Sequence, residues 1–366
     1  MALKRLQNRY NLASMPDVDF QSTRQRHYEI VLKDLFDAEP HMESHRLFQF
    51  VCTLVRAGGL ELGGFDPWYE SKAIIEDLWN LASIELPSDR FPDPRKTRIR
   101  LALLAYCTLT EMDLPYMLVA NLLRLRIGNK YHVDPFHDLA HRRQLKKSQA
   151  FGTVVPPTAK QKLKRISELA KQANMVPVGV AFEETHHAVL RNAVYHSDFI
   201  LQDDSLFIDK ASRLSKKEGG YTPCVALDEL DELITNAFAL FSALFGLYER
   251  SRRSFPDFTN AFLPYDQHYK GVMQLLLDGE GILMGFQVYW PNGTCGKYAR
   301  TKDACTAFNL SFDQDGSINF MVGLIATRRG IFSPLVEYDA EPTYSTAHAS
   351  NLRPHWPSDL KPYRLG

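Results

Sequence analysis

The period of the apolar residues changes at Pro256, and that change constrains the fold of this 366-residue chain more than any other feature. Before it, apolar residues recur mostly at helical spacing, as in Ile30, Leu32, Leu35 and Phe36, then Leu47, Phe50, Val51 and Leu54. After it come short alternating runs at 272–277, 283–289, 307–312 and 318–324, with Asp313-Gln314-Asp315-Gly316 as a turn between the last two. The pattern predicts a mainly α fold with a smaller β-rich C-terminal unit (α+β). The length exceeds what one core usually serves. Three regions are expected: an N-terminal helical region over 1–130, a basic connector with a helical domain over 131–255, and a β-rich region over 256–366. Gly58-Gly59, Gly63-Gly64 and Phe91-Pro92-Asp93-Pro94 punctuate the first region, and an apolar helix restarts over 98–109. No fixed-period repeat of the solenoid kind is visible.

Lys plus Arg equals 43 and so does Asp plus Glu, so the whole molecule has no excess charge to attract a polyanion. Any nucleic-acid surface must be local. The one strongly basic stretch lies in 131–176, where Arg142, Arg143, Lys146, Lys147, Lys160, Lys162, Lys164, Arg165 and Lys171 crowd together. It reads either as a solvated helix face with a loop or as a surface for phosphates. The five cysteines are odd in number, far apart and without zinc-ligand spacing, so reduced thiols are expected. The first residues turn polar at once, without the apolar stretch of a secretory signal, and a cytoplasmic location is expected. The longest apolar run, 233–248, is shorter than a bilayer span requires and reads as a buried helix, with no membrane partner.

Residues 181–195 read as helix. Phe199-Ile200-Leu201 and Leu206-Phe207-Ile208, separated by Gln202-Asp203-Asp204-Ser205, read as a small hairpin. A long amphipathic helix over 227–253 opens with Asp228, Glu229, Asp231 and Glu232 and closes with Arg250, Arg252 and Arg253, a polarity that complements the helix dipole. Within this pattern, Arg191, Asn192 and His196 form the series Arg, polar residue, three variable residues, His. With its flanking hairpin and long helix, the stretch resembles the HEPN (higher eukaryotes and prokaryotes nucleotide-binding) family over about residues 160–253. The resemblance implies a helical bundle of HEPN type in the centre of the chain. It also implies a homodimer through these helices, with a composite cleft on the two-fold axis, and a metal-independent endoribonuclease of the toxin or antiviral-defence kind. Members that only bind or scaffold also carry the pattern, so a catalytically inactive module for RNA or protein binding and assembly is the alternative. A further protein subunit is left open.

The residue types suit that chemistry. Attack by a 2′-hydroxyl needs a base, and an imidazole with an ordinary pKa of about 6.5 works near neutrality, which makes His196 the candidate. Charge gathering on the phosphate needs a fixed cation, and the Arg191 guanidinium offers paired donors. The Asn192 amide can hold either side chain in place. Five residues on a regular helix separate Arg191 from His196 by about 140°. They can converge only if the helix loosens near its end or if side chains meet across a symmetric partner. His187, four residues before Arg191, shares its face and is a candidate to line the site, with a structural role equally open. Lys162, Lys164 and Arg165 are the candidate phosphate contacts. No cofactor and no metal are expected.

Other constellations are weaker. His132, Asp134, His137 and His141 lie close together but lack the companion Glu of a helical zinc site, and they read as an exposed turn followed by helix. Glu183 and Glu184 are possible but weak orienters of the arginine. Phe286, Tyr289, Trp290, Tyr298 and Phe308 could stack bases, though aromatics alternating in strands more often form core.

Overall fold

The computed structural model describes residues 18–42, 46–58, 67–143, 153–208, 224–255, 261–265, 271–289, 295–302 and 304–312, with short strand segments at 318–320, 325–327, 330–332, 336–338, 347–348 and 360–362. The described helices are α1 (Val18–Lys33), α2 (Glu39–Met42), α3 (Arg46–Leu54), α4 (Pro67–Ser83), α5 (Pro94–Glu111), α6 (Asp113–Arg126), α7 (Ala159–Gln172), α8 (Val176–Glu184), α9 (Ala188–His196) and α10 (Leu227–Arg252). Strands β1 (His141–Arg143) and β2 (Thr153–Val155) pair with each other, and β3 (Phe199–Leu201), β4 (Ser205–Ile208) and β5 (Cys224–Ala226) form a small antiparallel sheet. Beyond α10 the described elements are all strands. The fold is therefore mainly α with a smaller β-rich C-terminal part, an α+β arrangement. The hairpin expected after the motif is present, and the strand β5 that joins it was not foreseen. The turn at 313–316 and the Lys- and Gly-rich loop after β4 lie outside the described residues.

Contacts group the chain into two compact units, each made of segments that alternate along the sequence. One comprises Met1–Lys33, Trp68–Tyr116 and Pro156–Gly246; the other comprises Asp34–Pro67, Met117–Val155 and Leu247–Gly366.

The first unit is helical around an aromatic core. Trp68 lies 4.2 Å from Phe245 between ring centroids, and Tyr116, Phe182 and Phe241 contact one another at 5.8–6.2 Å. Each of these rings is almost fully buried, and burying a side chain of this size contributes about 1.5–3 kcal/mol. Asp93 accepts from the Lys96 amide at 2.9 Å, and Pro94 supplies the first helical position, so the proline-rich punctuation becomes the start of α5. Thr158 and Gln161 close a reciprocal cap on α7. Helix α10 has the length and apolarity of a bilayer crossing, but 72% of its most apolar window is buried inside the protein, as in a core helix.

In the second unit, α3 buries Leu47, Phe50, Val51 and Leu54, and Phe48 meets Phe286 edge to face at 5.0 Å. Strands β6 (Ala261–Tyr265), β7 (Gly271–Leu277), β8 (Leu283–Tyr289), β9 (Cys295–Arg300), β10 (Cys305–Phe308) and, further on, Ala347–His348 form an antiparallel sheet in the order β10-β9-β8-β7-β6 and then the Ala347 strand. Gly285 permits the β8–β9 approach, because a Cβ there would collide with the Tyr298 carbonyl. Asn309, at φ 52°, ends β10 before Leu310–Phe312, so the expected single run over 307–312 is two strands. Phe286 and Tyr298 are fully buried, Phe308 is 59% exposed, and Trp290 lies outside the described residues. The histidine-rich turn is not simply exposed. His132 is buried, stacks on His137 at 4.2 Å, and accepts from the Asp134 amide at Nδ1, while His141 begins a strand instead of a helix.

Candidate functional site

The helix expected over 181–195 is broken. Helix α8 ends at Glu184 and α9 begins at Ala188. The cause is Tyr106 on α5, whose hydroxyl donates to the Thr185 carbonyl (3.1 Å) and accepts from the His187 amide (2.9 Å). Both backbone groups would otherwise be orphaned at a helix break. Burial keeps that phenol protonated, far above its ordinary range. His187 then caps α9, its Nδ1 accepting from the Leu190 amide at 3.0 Å. An Nδ1 that accepts this bond carries no proton of its own, so the ring's N–H lies at Nε2. His187 is thus a helix cap first, with only Nε2 left for a ligand.

Arg191 stands one turn into α9. Its Nη1 donates to Asn192 Oδ1 at 2.9 Å, and its guanidinium carbon lies 5.0 Å from the Tyr195 ring centroid. Its Nε is 2.7 Å from Glu111 Oε1 on α5. The Nε proton does not point at that oxygen, since Arg191 Nε has no hydrogen bond of good geometry, so the contact is a close ion pair and not a directed bond. Both side chains are about one-third exposed. Asn192 therefore holds the arginine, one of the two roles open to it, and Glu111 holds it from another helix. Glu183 and Glu184 do not. Ser167 donates to Glu183, and Tyr28 donates to Glu184 at 2.8 Å.

His196 is the last residue of α9 and exposed, its imidazole making no hydrogen bond to any described residue. Ser197 follows at φ 55° and closes the helix with left-handed backbone, the Asp198 amide donating to the Ala193 carbonyl at 2.9 Å. The helix stays regular through His196, so loosening does not bring the histidine to Arg191 within one chain. Nearer to Arg191 electrostatically is His186 in the break. Burial first, then the positive charges of Arg191, His187 and Lys160, lower its pKa, and its buried Nδ1 has no hydrogen-bond partner among the described residues. Cys107 also feels Arg191 and Glu111, but burial pushes its thiol up to about 12, which removes it as a nucleophile at neutral pH.

Compared with known proteins, the chain matches no family model, no curated relative and no solved structure.

The basic helix α7 divides its candidates. Lys162 is buried and ion-paired with Asp113, so its charge is turned inward and already partnered. Lys164 is 80% exposed, with Glu168 at 3.9 Å, and Arg165 lies lower on the helix side, 3.7 Å from the same acid. Among the described residues no cluster of His, Cys, Asp or Glu has the arrangement of a metal site. Reading the sequence missed Glu111 and Tyr106. Neither has a local signal, since both act across about eighty residues of chain through a helix packing that no spacing rule encodes.

Proposed function

We propose that this protein is a homodimeric HEPN-type endoribonuclease that cuts RNA without a metal, in which Arg191 of one protomer and His196 of the other serve the same phosphodiester. The observation that carries this reading is the division of labour on α9. Its first turns hold a guanidinium fixed by Asn192, Tyr195 and Glu111, while its last residue is an exposed imidazole about 140° around the helix. A two-fold axis beside α9 makes the contact isologous and gives each cleft one arginine and one histidine. In the reaction, His196 takes the 2′-hydroxyl proton and the 2′-oxygen attacks phosphorus. Arg191 then stabilises the charge gathered on the non-bridging oxygens as the 5′-oxygen leaves. A 2′,3′-cyclic phosphate is the immediate product. A toxin or antiviral-defence role fits such an activity and rests on the resemblance alone.

One observation favours the catalytically inactive module as a second reading. Glu111 already neutralises Arg191, as suits a residue used for assembly. A nuclease assay in chelator separates the two. Wild type is expected to leave cyclic-phosphate ends, and His196→Ala or Arg191→Ala to lower the rate by about 10²–10⁴-fold without unfolding. Mixing the two inactive variants is expected to restore part of the activity, since a mixed dimer keeps one intact cleft. Cleavage that needs a divalent metal, or that survives both substitutions, would return α9 to a scaffolding role.

A further inference from the structure

We propose that Lys160, Lys164 and Lys171 on α7 form a phosphate-binding rail that guides an RNA backbone to the head of the Arg191 helix, an inference that rests on the reading of this protein as RNA-directed. At about 100° per residue, Lys164 and Lys171 fall within about 40° of Lys160 around the helix, and the three span about 16 Å along it. All three are exposed. The row edges the buried arc, which begins about 60° away with Leu163 and continues through Ala170 and Ile166 to Lys162, itself paired with Asp113. Arg165 falls about 140° from Lys160, off the row.

The row borders the seam with α8. Ser167, on the buried arc beside the lysines, donates to Glu183, and a Cβ on Gly179 would lie 3.0 Å from the Ser167 Cα. Only three residues separate the two helices, with Asn174 at φ 56°, so they run antiparallel as a tight hairpin. The Lys160 end of the row therefore meets the C-terminal end of α8, where the Tyr106-bonded break and α9 begin. The basicity of His186 is lowered first by burial and then by the positive charges of Arg191, His187 and Lys160, so the lysine at this end of the row is close enough to be felt in the break. Near the row the acids are already engaged, Glu168 with Lys164 and Arg165, and Glu183 with Ser167. A row of point charges ending in imidazoles and a guanidinium suits a polymer of phosphates that is to be cut at one end of its path.

The probe is a short single-stranded 2′-O-methyl RNA, which cannot be cleaved through its 2′-oxygen, titrated by fluorescence anisotropy in chelator between about 50 and 200 mM salt. Reversing all three lysines, Lys160→Glu with Lys164→Glu and Lys171→Glu, is expected to weaken binding at least tenfold at the lower salt and to flatten the salt slope by about 2, since each single-strand contact contributes roughly 0.7. The milder Lys→Gln triple, confirmed folded by circular dichroism, should flatten the slope in the same direction. Wild-type affinity in the folded triple variants overturns the proposal. Loss of binding to anionic phospholipid vesicles with RNA binding unchanged overturns it in favour of a membrane surface. Binding through the row without cleavage of ordinary RNA leaves the rail standing and removes the nuclease reading. Cleavage that is retained while the reversed row binds RNA normally removes the rail alone.

Discussion

The hydroxyl of Tyr106 sits between two backbone groups that a continuous helix would have paired internally. Removing it in Tyr106→Phe leaves a buried carbonyl and an amide without their partner, at a cost of about 1–3 kcal/mol, since an orphaned buried group loses its solvation without compensation. Urea unfolding should show that loss in the midpoint with the slope unchanged. A variant as stable as wild type would mean that the break at 185–187 is set by something other than this hydroxyl. Glu111 is the other single side chain with a distinct expected effect. The Glu111–Arg191 pair is partly exposed, so Glu111→Gln should change stability by less than about 1 kcal/mol. If Glu111 aims the guanidinium, cleavage should still fall about tenfold in kcat with KM nearly unchanged, because the arginine is then free to wander while ground-state binding is untouched. A rise in KM alone would make Glu111 a contributor to binding and not to positioning.

Helix α7 shows what periodicity can and cannot say about an element. Its charged residues are evident in the sequence, and the helix forms where they stand, but the sequence run Lys160, Lys162, Lys164, Arg165 looks uniform until the helix is wound. Winding sends Lys162 inward to Asp113 and leaves Lys164 in solvent. Lys162→Glu should therefore lower the melting temperature clearly, since it buries a carboxylate facing another carboxylate. Lys164→Glu should stay within about 0.5 kcal/mol of wild type, as exposed substitutions usually do. Equal melting temperatures for the two variants would show the Lys162 site to be open to water. Helix α9 carries the complementary lesson. Its end at His196 and the hairpin after it were legible from local pattern, whereas its start was not, because the residues from Ala181 to Tyr195 carry no glycine or proline and the interruption comes from a tyrosine on another helix.

For the molecule as a whole, acid stability offers a check on burial. Burial, with Arg126 and Arg46 nearby, holds His41 at about 4 against an ordinary value of 6.5. Between those values the folded chain binds fewer protons at this site than the unfolded chain, so the stability His41 contributes is present above about pH 6.5 and is lost as pH falls toward about 4, on the order of 3 kcal/mol in all. Asp231 acts in the opposite sense, because burial beside Asp228 raises it to about 6 and acidification relieves its charge. Comparing wild type with His41→Gln at about pH 7 and about pH 4.5 cancels the Asp231 contribution, and the variant should lose less stability on acidification. Equal losses would place the imidazole in contact with water. The sequence by itself determined the α-then-β order of the chain, the hairpin after the motif, the long core helix and the motif's residue types, because each depends on periods of two or 3.6 residues that a local reading sees. Only the tertiary structure decided which lysines face water, that Glu111 holds Arg191, that Tyr106 breaks the helix, and that contacts interleave distant segments. These depend on which faces meet across long stretches of chain, and burial and hydrogen bonding between such faces are properties of the packing and not of any window of sequence.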